Sequence, residues 1–439
     1  MEDKITKQYF SHHCPETTRL NNGSFGCVPL PVKNKAEEYR ANWLSQPDDI
    51  YFNHLQQDQK QAKQVVGNLI NAEPERISFV NNATTAGTIV AQKIMWDLME
   101  SKESNTKTYV LQFDICYPAL RKSVEAFILR AGAELLEVKI PFPYSDSSEL
   151  LDAIEQSLQS VPLGSVKIAY IDHISSVPAI LFPLKETVAL LRKYNVSEIF
   201  VDGAHSVGQV PLDMKDIDVE YYVSNLHKWM FAPVGCAFFY TAERVDNPSQ
   251  KSTVHHAVPS FFYNQTLSEE TKWAGTDDYA PRIAAPEGIR FSSLIGNIIE
   301  SDNSIELLDQ SYDELLNKFN LQGNDFSIHH GLTEYNRKRT IRLANQLAKS
   351  WGGSISTPED SITSLANIQL PDVLPFSSIK DMTKANELRD KVRIEDKAEV
   401  FFFGNEKGCF IRLSCQIYNT EEDFNRLDKI IHQLMKTSE

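Results

Sequence analysis

The 439-residue chain is 42% hydrophobic and 23% charged, the composition of a globular protein large enough for two or three domains. Its 44 Lys and Arg stand against 59 Asp and Glu, and the net charge of -15 argues against a nucleic-acid partner and against an anionic membrane surface. No apolar run has the length of a membrane span, and the polar start Met1-Glu2-Asp3-Lys4 shows no targeting pattern, so the cytoplasm is the expected compartment.

In chain order, residues 1–32 read as irregular, with a turn-rich Leu20-Asn21-Asn22-Gly23-Ser24-Phe25-Gly26 followed by Pro29 and Pro31. Helices are expected over 32–44 and 52–71, where Val65, Val66, Leu69 and Ile70 recur at helical spacing. A short strand over 77–80 leads into Asn81-Asn82-Ala83-Thr84-Thr85-Ala86-Gly87 and a helix carrying Ile89, Val90, Ile94 and Met95. Strands at 109–113, 135–140, 166–172 and 198–202 then alternate with helices at 119–131, 149–159 and 184–194. This is the pattern of an α/β fold, a mostly parallel sheet covered by helices on both faces. The apolar runs 219–223 and 235–240 are too close for a helical crossover, so the second is expected to pair antiparallel.

Beyond residue 290, helices at 297–318 and 332–351, short strands at 365–370, 398–403 and 409–414, and a helix at 421–435 predict a smaller α+β domain. The expected division is an N-terminal segment over 1–45 packing on the small domain, a large domain over 46–295 and the small domain over 296–439. Cys14, Cys27, Cys116, Cys236, Cys409 and Cys415 are scattered and read as reduced thiols.

The chemistry is expected at strand ends, where open α/β sheets place it. Lys228, in Ser224-Asn225-Leu226-His227-Lys228-Trp229, lies between two strands and reads as the amine that holds a carbonyl cofactor as a Schiff base, against the alternative of a surface lysine. Asp202 ends the strand Ile199-Phe200-Val201. A carboxylate there can keep a pyridine nitrogen protonated, with His205 near the ring hydroxyl, or it can simply cap a helix. Asp172 ends another strand and would line the same crevice. Backbone amides at 81–87, with Thr84 and Thr85, can cradle a phosphate. Tyr117 offers a ring face for stacking. Arg412, in Phe410-Ile411-Arg412-Leu413-Ser414, alternates with apolar neighbours; a substrate α-carboxylate or a structural ion pair would answer its charge. The pairs His12-His13, His255-His256 and His329-His330 lack spaced partners, and no metal site is expected.

Taken together, Asn81–Ala86, Asp202-Gly203-Ala204-His205-Ser206, Ser224–Lys228, Trp273-Ala274-Gly275-Thr276-Asp277-Asp278 and Ile411–Asn419 resemble the class V aminotransferase family of pyridoxal-phosphate enzymes, fold type I. Within the family the chain resembles the isopenicillin N epimerase-like branch, and Arg19–Gly26 and Gln46–Asn53 are similar to its plant-type L-cysteine desulfhydrases in particular. The resemblance implies the PLP-dependent transferase fold, with a seven-stranded type of sheet, and pyridoxal 5'-phosphate as cofactor. It implies phosphate contacts from Ala83, Thr84, Ser224 and His227, a Thr276 that reaches the neighbouring subunit's cofactor, and hence a homodimer with shared active sites. Asn22 and Arg412 would meet the amino-acid substrate.

Desulfurases of the family carry a cysteine on a mobile loop ahead of the position of Arg412, and 353–400 holds none. The expected reaction is therefore elimination from L-cysteine or an S-substituted cysteine, giving sulfide or thiol, pyruvate and ammonia. Epimerisation, transamination or a cysteine sulfoxide lyase of the ergothioneine type start from the same carbanion and remain alternatives.

Overall fold

The computed structural model describes residues 1–100, 107–247, 249 and 253–436. The expected spans 46–295 and 296–439 thus include a few positions outside the described residues. Among the described residues thirteen strands follow in order: β1 (Thr18–Arg19), β2 (Ile77–Val80), β3 (Tyr109–Phe113), β4 (Glu134–Val138), β5 (Val166–Asp172), β6 (Glu198–Asp202), β7 (Tyr221–Ser224), β8 (Ala237–Thr241), β9 (Ser354–Ile355), β10 (Leu365–Gln369), β11 (Ala398–Glu399), β12 (Phe401–Asn405) and β13 (Gly408–Ser414).

Seven of them form the large sheet, in the order β2-β8-β7-β6-β5-β3-β4. The pairs from β7 to β4 are all parallel, and β8 runs antiparallel to both of its neighbours. That agrees with the reading of 235–240. β6 is buried at all five positions and β5 at six of seven, as continuous apolar runs should be when helices cover both faces. Alternation along β6 sorts the side chains. Phe200 packs with Ile89, Val90 and Ile94 of helix Ala83–Glu100, whereas Ile199 and Val201 join the core that contains Ile289 and Phe291.

A second core gathers around the four-stranded sheet β12-β13-β10-β9, with Leu343, Leu347, Leu388, Val392, Leu427 and Ile431 supplied by its helices. The N-terminal stretch touches both cores. Here β1 pairs parallel with β11 and Leu20 enters the smaller core. Helix Leu30–Ser45 instead packs along helix Ala280–Ile299, where Tyr9 and Phe10 meet Phe291 at 5.2 and 5.9 Å.

Some helices differ from expectation. The helix expected over 297–318 is three separate pieces, Ala280–Ile299, Ser304–Leu307 and Tyr312–Lys318. Ala280–Ile299 buries fifteen of its twenty residues and leaves only a narrow partly exposed stripe at Ile283, Glu287, Arg290 and Asn297. Ser311 caps the third piece in a reciprocal box with Glu314, which restarts the chain there. Residues 1–32, read as irregular, hold a helix at Glu2–Tyr9, and Met382–Glu395 was not expected. The run 119–131 begins one residue early at Pro118 and winds into a π-turn over Val124–Leu129.

Candidate active site

The parallel strands deliver their carboxyl ends to one edge. Asp172 on β5 pairs in register with Asp202 on β6, and Asp202 with Val223 on β7. Across the antiparallel junction Ser224 faces Phe238, and Val80 of β2 faces Ala237. Asn81–Thr84, Asp172, Asp202 and the residues after Ser224 therefore share one edge of the sheet.

Lys228 lies on a single turn of helix, Leu226–Trp229, entered from β7 through the extended Asn225. Asn225 ties this turn to the 81–87 loop, its Oδ1 accepting from Ala83 N at 3.0 Å. Lys228 Nζ lies 3.0 Å from His205 Nε2. On the far side of that ring Trp229 Nε1 donates to Nδ1 at 3.3 Å. An indole N–H can only donate, so Nδ1 accepts and the neutral imidazole carries its proton on Nε2. That proton points at Lys228, whose amine can accept it once it has lost its own. Burial pushes Lys228 down to about 8, with Asp202 opposing and the Arg412 charge adding to the shift. Burial and the Lys228 charge hold His205 far below the usual histidine range.

Asp202 and Asp172 are both buried. Burial raises each carboxyl above its ordinary range. For Asp172 the Asp202 charge adds to it, while an N–H from Ala204 (2.9 Å to Oδ1) and the Lys228 charge moderate Asp202. Asp202 is thus the carboxylate with support for its charge, and Asp172 the one driven neutral.

Arg412 comes from β13 of the smaller sheet and is only 1% exposed. No carboxylate pairs with it among the described residues. Nη1 donates to Ser176 O and Oγ at 2.9 and 3.2 Å, and Nη2 to Asn21 Oδ1 and Ser24 Oγ at 2.8 and 3.0 Å. Its Nε has no acceptor among the described residues. The guanidinium also lies over Phe401, 4.5 Å from the ring centre. Burial without an anion pushes it down to about 10. The structural ion pair open at the level of sequence is therefore absent among the described residues.

The turn-rich N-terminal stretch closes this arrangement. Asn22 Nδ2 donates to Lys228 O at 3.0 Å, and Gly23 N to Ser414 Oγ at 3.0 Å. Gly26, at φ 73°, runs so close to His227 that a Cβ there would sit 1.8 Å from its carbonyl oxygen. Asn22 is buried and its Oδ1 has no partner among the described residues.

The remaining expected residues divide. Thr84 stands in the first turn of helix Ala83–Glu100, and its hydroxyl has no protein partner among the described residues. Tyr117, four residues past β3, keeps 45% of its surface exposed. His227 anchors Nδ1 on Cys236 O at 2.8 Å, leaving its other ring nitrogen for a ligand. Ser224 is buried, with its hydroxyl bonded to Gly203 O and accepting from Val207 N at 3.0 Å. Its hydroxyl thus holds two backbone segments together, and Ala83 N is already taken by Asn225. Thr276 is exposed on a turn pinned by Tyr279 Oη on Gly275 O at 2.9 Å. Arg282 joins that turn to the 81–87 loop, with Nη2 3.3 Å from both Asp277 and Asn81.

Sequence reasoning gave no individual role to Asn21, Ser24, Ser176, Asn225 and Trp229, although Asn21 and Ser24 lie in the loop around Asn22, Ser176 in the segment after Asp172, and Asn225 and Trp229 beside the lysine; their bonds are made by tertiary contacts.

A pyridoxal phosphate group fits this edge. It calls for a buried amine of lowered proton affinity, a carboxylate, an exposed ring face and a helix N-terminus, and Lys228, Asp202, Tyr117 and the start of helix Ala83–Glu100 offer them.

Comparison with known proteins agrees with this geometry. The family model "Aminotransferase class-V" matches residues 27–327. An L-cysteine desulfhydrase from Arabidopsis thaliana is 34% identical over 97% of this chain and 90% of its own. A probable chloroplastic L-cysteine desulfhydrase from the same plant is 34% identical over 97% and 85%. Among solved structures, the cystine C–S lyase C-DES superposes with a TM-score of 0.69 at 16% identity, over 96% of this chain and 98% of that one, a likeness of fold.

Proposed function

This chain belongs to the class V aminotransferase family, and on that premise we propose that it is a pyridoxal-phosphate-dependent carbon–sulfur lyase acting on L-cysteine or an S-substituted cysteine. The observation that carries the amino-acid part is the buried Arg412 without a carboxylate partner among the described residues, set at the same site as a buried Lys228 whose proton affinity is lowered. The C–S specificity is supported by 34% identity to L-cysteine desulfhydrases over nearly the whole chain.

Bound pyridoxal phosphate supplies an electron sink that weakens the Cα–H bond of the amino acid it holds. Lys228 would hold the cofactor through Nζ, and Asp202 would face its ring nitrogen. Tyr117 would cover its ring, and Thr84 and His227 would meet its phosphate. Lys228 Nζ, freed when the substrate amine is held in its place, would take the Cα proton. Its depressed proton affinity suits that task near neutral pH. Arg412 fixes the α-carboxylate and so sets which bond faces Lys228. The β-sulfur leaves with its bonding pair, and water converts the remainder to pyruvate and ammonia.

Release of free sulfide is favoured over transfer to a protein thiol. The segment 353–400 has no cysteine. Cys409 and Cys415 are buried, and burial raises both thiols. We further place the enzyme in the cytoplasm as a homodimer with shared sites. The exposed Thr276 turn and the exposed Phe25, Val234 and Phe261 support the dimer, which sedimentation velocity tests. The function is tested by incubating the cofactor-loaded protein with L-cysteine while following sulfide and pyruvate together. Equal amounts of both support elimination. Sulfide without pyruvate means desulfuration, and neither product removes cysteine as the substrate.

A further inference from the structure

The four Nη hydrogens of Arg412 are all bonded in the structure, two to Ser176 and one each to Asn21 and Ser24. A carboxylate binds a guanidinium bidentately either side-on, through Nε and Nη2, or end-on, through Nη1 and Nη2. Both modes require Nη2. Nε–H is free among the described residues, so the side-on fork is half prepared and lacks only one Nη2 hydrogen. Either Asn21 or Ser24 must give way.

The two are not equal. Asn21 Oδ1 is an acceptor only, and its oxygen would repel an arriving carboxylate. Ser24 is a rotor. Its Oγ now accepts from Arg412 Nη2 and donates to Asn21 Oδ1 at 2.8 Å. Turned about χ1, the same hydroxyl can release Nη2 and donate to the carboxylate instead. Asn21 then keeps one Nη2 hydrogen and holds the guanidinium plane.

We infer that Ser24 is a substrate-binding residue that stands in for the α-carboxylate on Arg412 Nη2 and, when the carboxylate arrives, yields that hydrogen and donates its own. This rests on the reading of Arg412 as the carboxylate anchor. Ser24 sits on the four-residue turn Asn22–Phe25, whose Asn22 also holds the Lys228 carbonyl. The exchange therefore takes place on the segment that braces the covalent anchor.

Binding measured without turnover tests it, on the cofactor-loaded wild type and its S24A, S24T and R412M variants. The probes are 3-mercaptopropionate, which has the thiol and the carboxylate but no amine, and cysteamine, which has the thiol and the amine but no carboxylate. Loss of a hydroxyl donor to a charged group should weaken 3-mercaptopropionate roughly tenfold in S24A. Cysteamine should stay within about twofold, and S24T should restore the carboxylate ligand. Unchanged 3-mercaptopropionate binding in S24A overturns the inference, and so does an equal loss for both probes, which would mark a purely structural role. If R412M also leaves 3-mercaptopropionate unchanged, the anchor reading itself falls and takes the inference with it. The result is the same whether or not L-cysteine yields sulfide, so failure here and failure of the lyase reading are distinguishable.

Discussion

Replacing Arg412 by Met separates an anchor for substrate from a structural cation. Burial pushes the guanidinium from its ordinary 12.5 to about 10, which corresponds to desolvation on the order of 3 kcal/mol that no protein carboxylate offsets among the described residues. Methionine removes that penalty. It also removes four hydrogen bonds to neutral acceptors, each worth about 1 kcal/mol net. The two contributions nearly cancel, so the cofactor-free variant should unfold within about 2 kcal/mol of wild type in urea, followed by circular dichroism. Substrate binding should change far more. Two hydrogen bonds to a charged carboxylate, taken at about 1.5 kcal/mol each, give roughly a 100-fold rise in KM for L-cysteine. A structural ion pair would behave in the opposite way, because breaking a buried pair costs about 3–5 kcal/mol of stability. A stability loss of that size with KM unmoved would refute the reasoning.

Lys228→Ala should abolish turnover by more than about 1000-fold, and borohydride should fix cofactor to the wild type but not to the variant, as absorbance after denaturation reports. Uptake of pyridoxal phosphate by the cofactor-free protein should speed up as pH rises and level off above about 8, because the depressed Lys228 must lose its proton to react; a half-point near 10.5 would mean an ordinary lysine. The same depression has a stability counterpart. Between about 8 and 10.5 the unfolded chain holds a proton that the folded one does not, so Lys228 makes stability rise with pH across that window, which a urea titration series can follow. Gly26→Ala places a Cβ 1.8 Å from His227 O at a positive φ, and should cost more than about 1 kcal/mol in thermal unfolding as well as activity.

Much of this site was legible because its residues follow strands whose apolar runs are unmistakable. β5 and β6 end at Asp172 and Asp202, the residues at which the sequence reading ended them. Burial on both faces leaves no polar interruption, so such strands announce both their type and their ends. Arg412 could be singled out because a charge set among apolar neighbours demands an explanation, and Lys228 because it lies between two strands, where chemistry is expected. Helix Ala280–Ile299 was lost because its polar stripe is narrow, carried by Glu287, Arg290 and Asn297 alone, and Pro281 and Pro286 interrupt the helical pattern.

The sequence by itself determined the fold class, the order of the strands along the chain and the chemistry available at their ends, since these depend on local periodicity and residue type. Tertiary structure alone decided which groups are satisfied and which are left open. Contacts across nearly 400 residues hold Arg412 on Asn21 and Ser24, and Trp229 sets the tautomer of a histidine 24 positions away. Such pairings depend on how two sheets and an N-terminal segment converge, and no local pattern in the chain records that geometry.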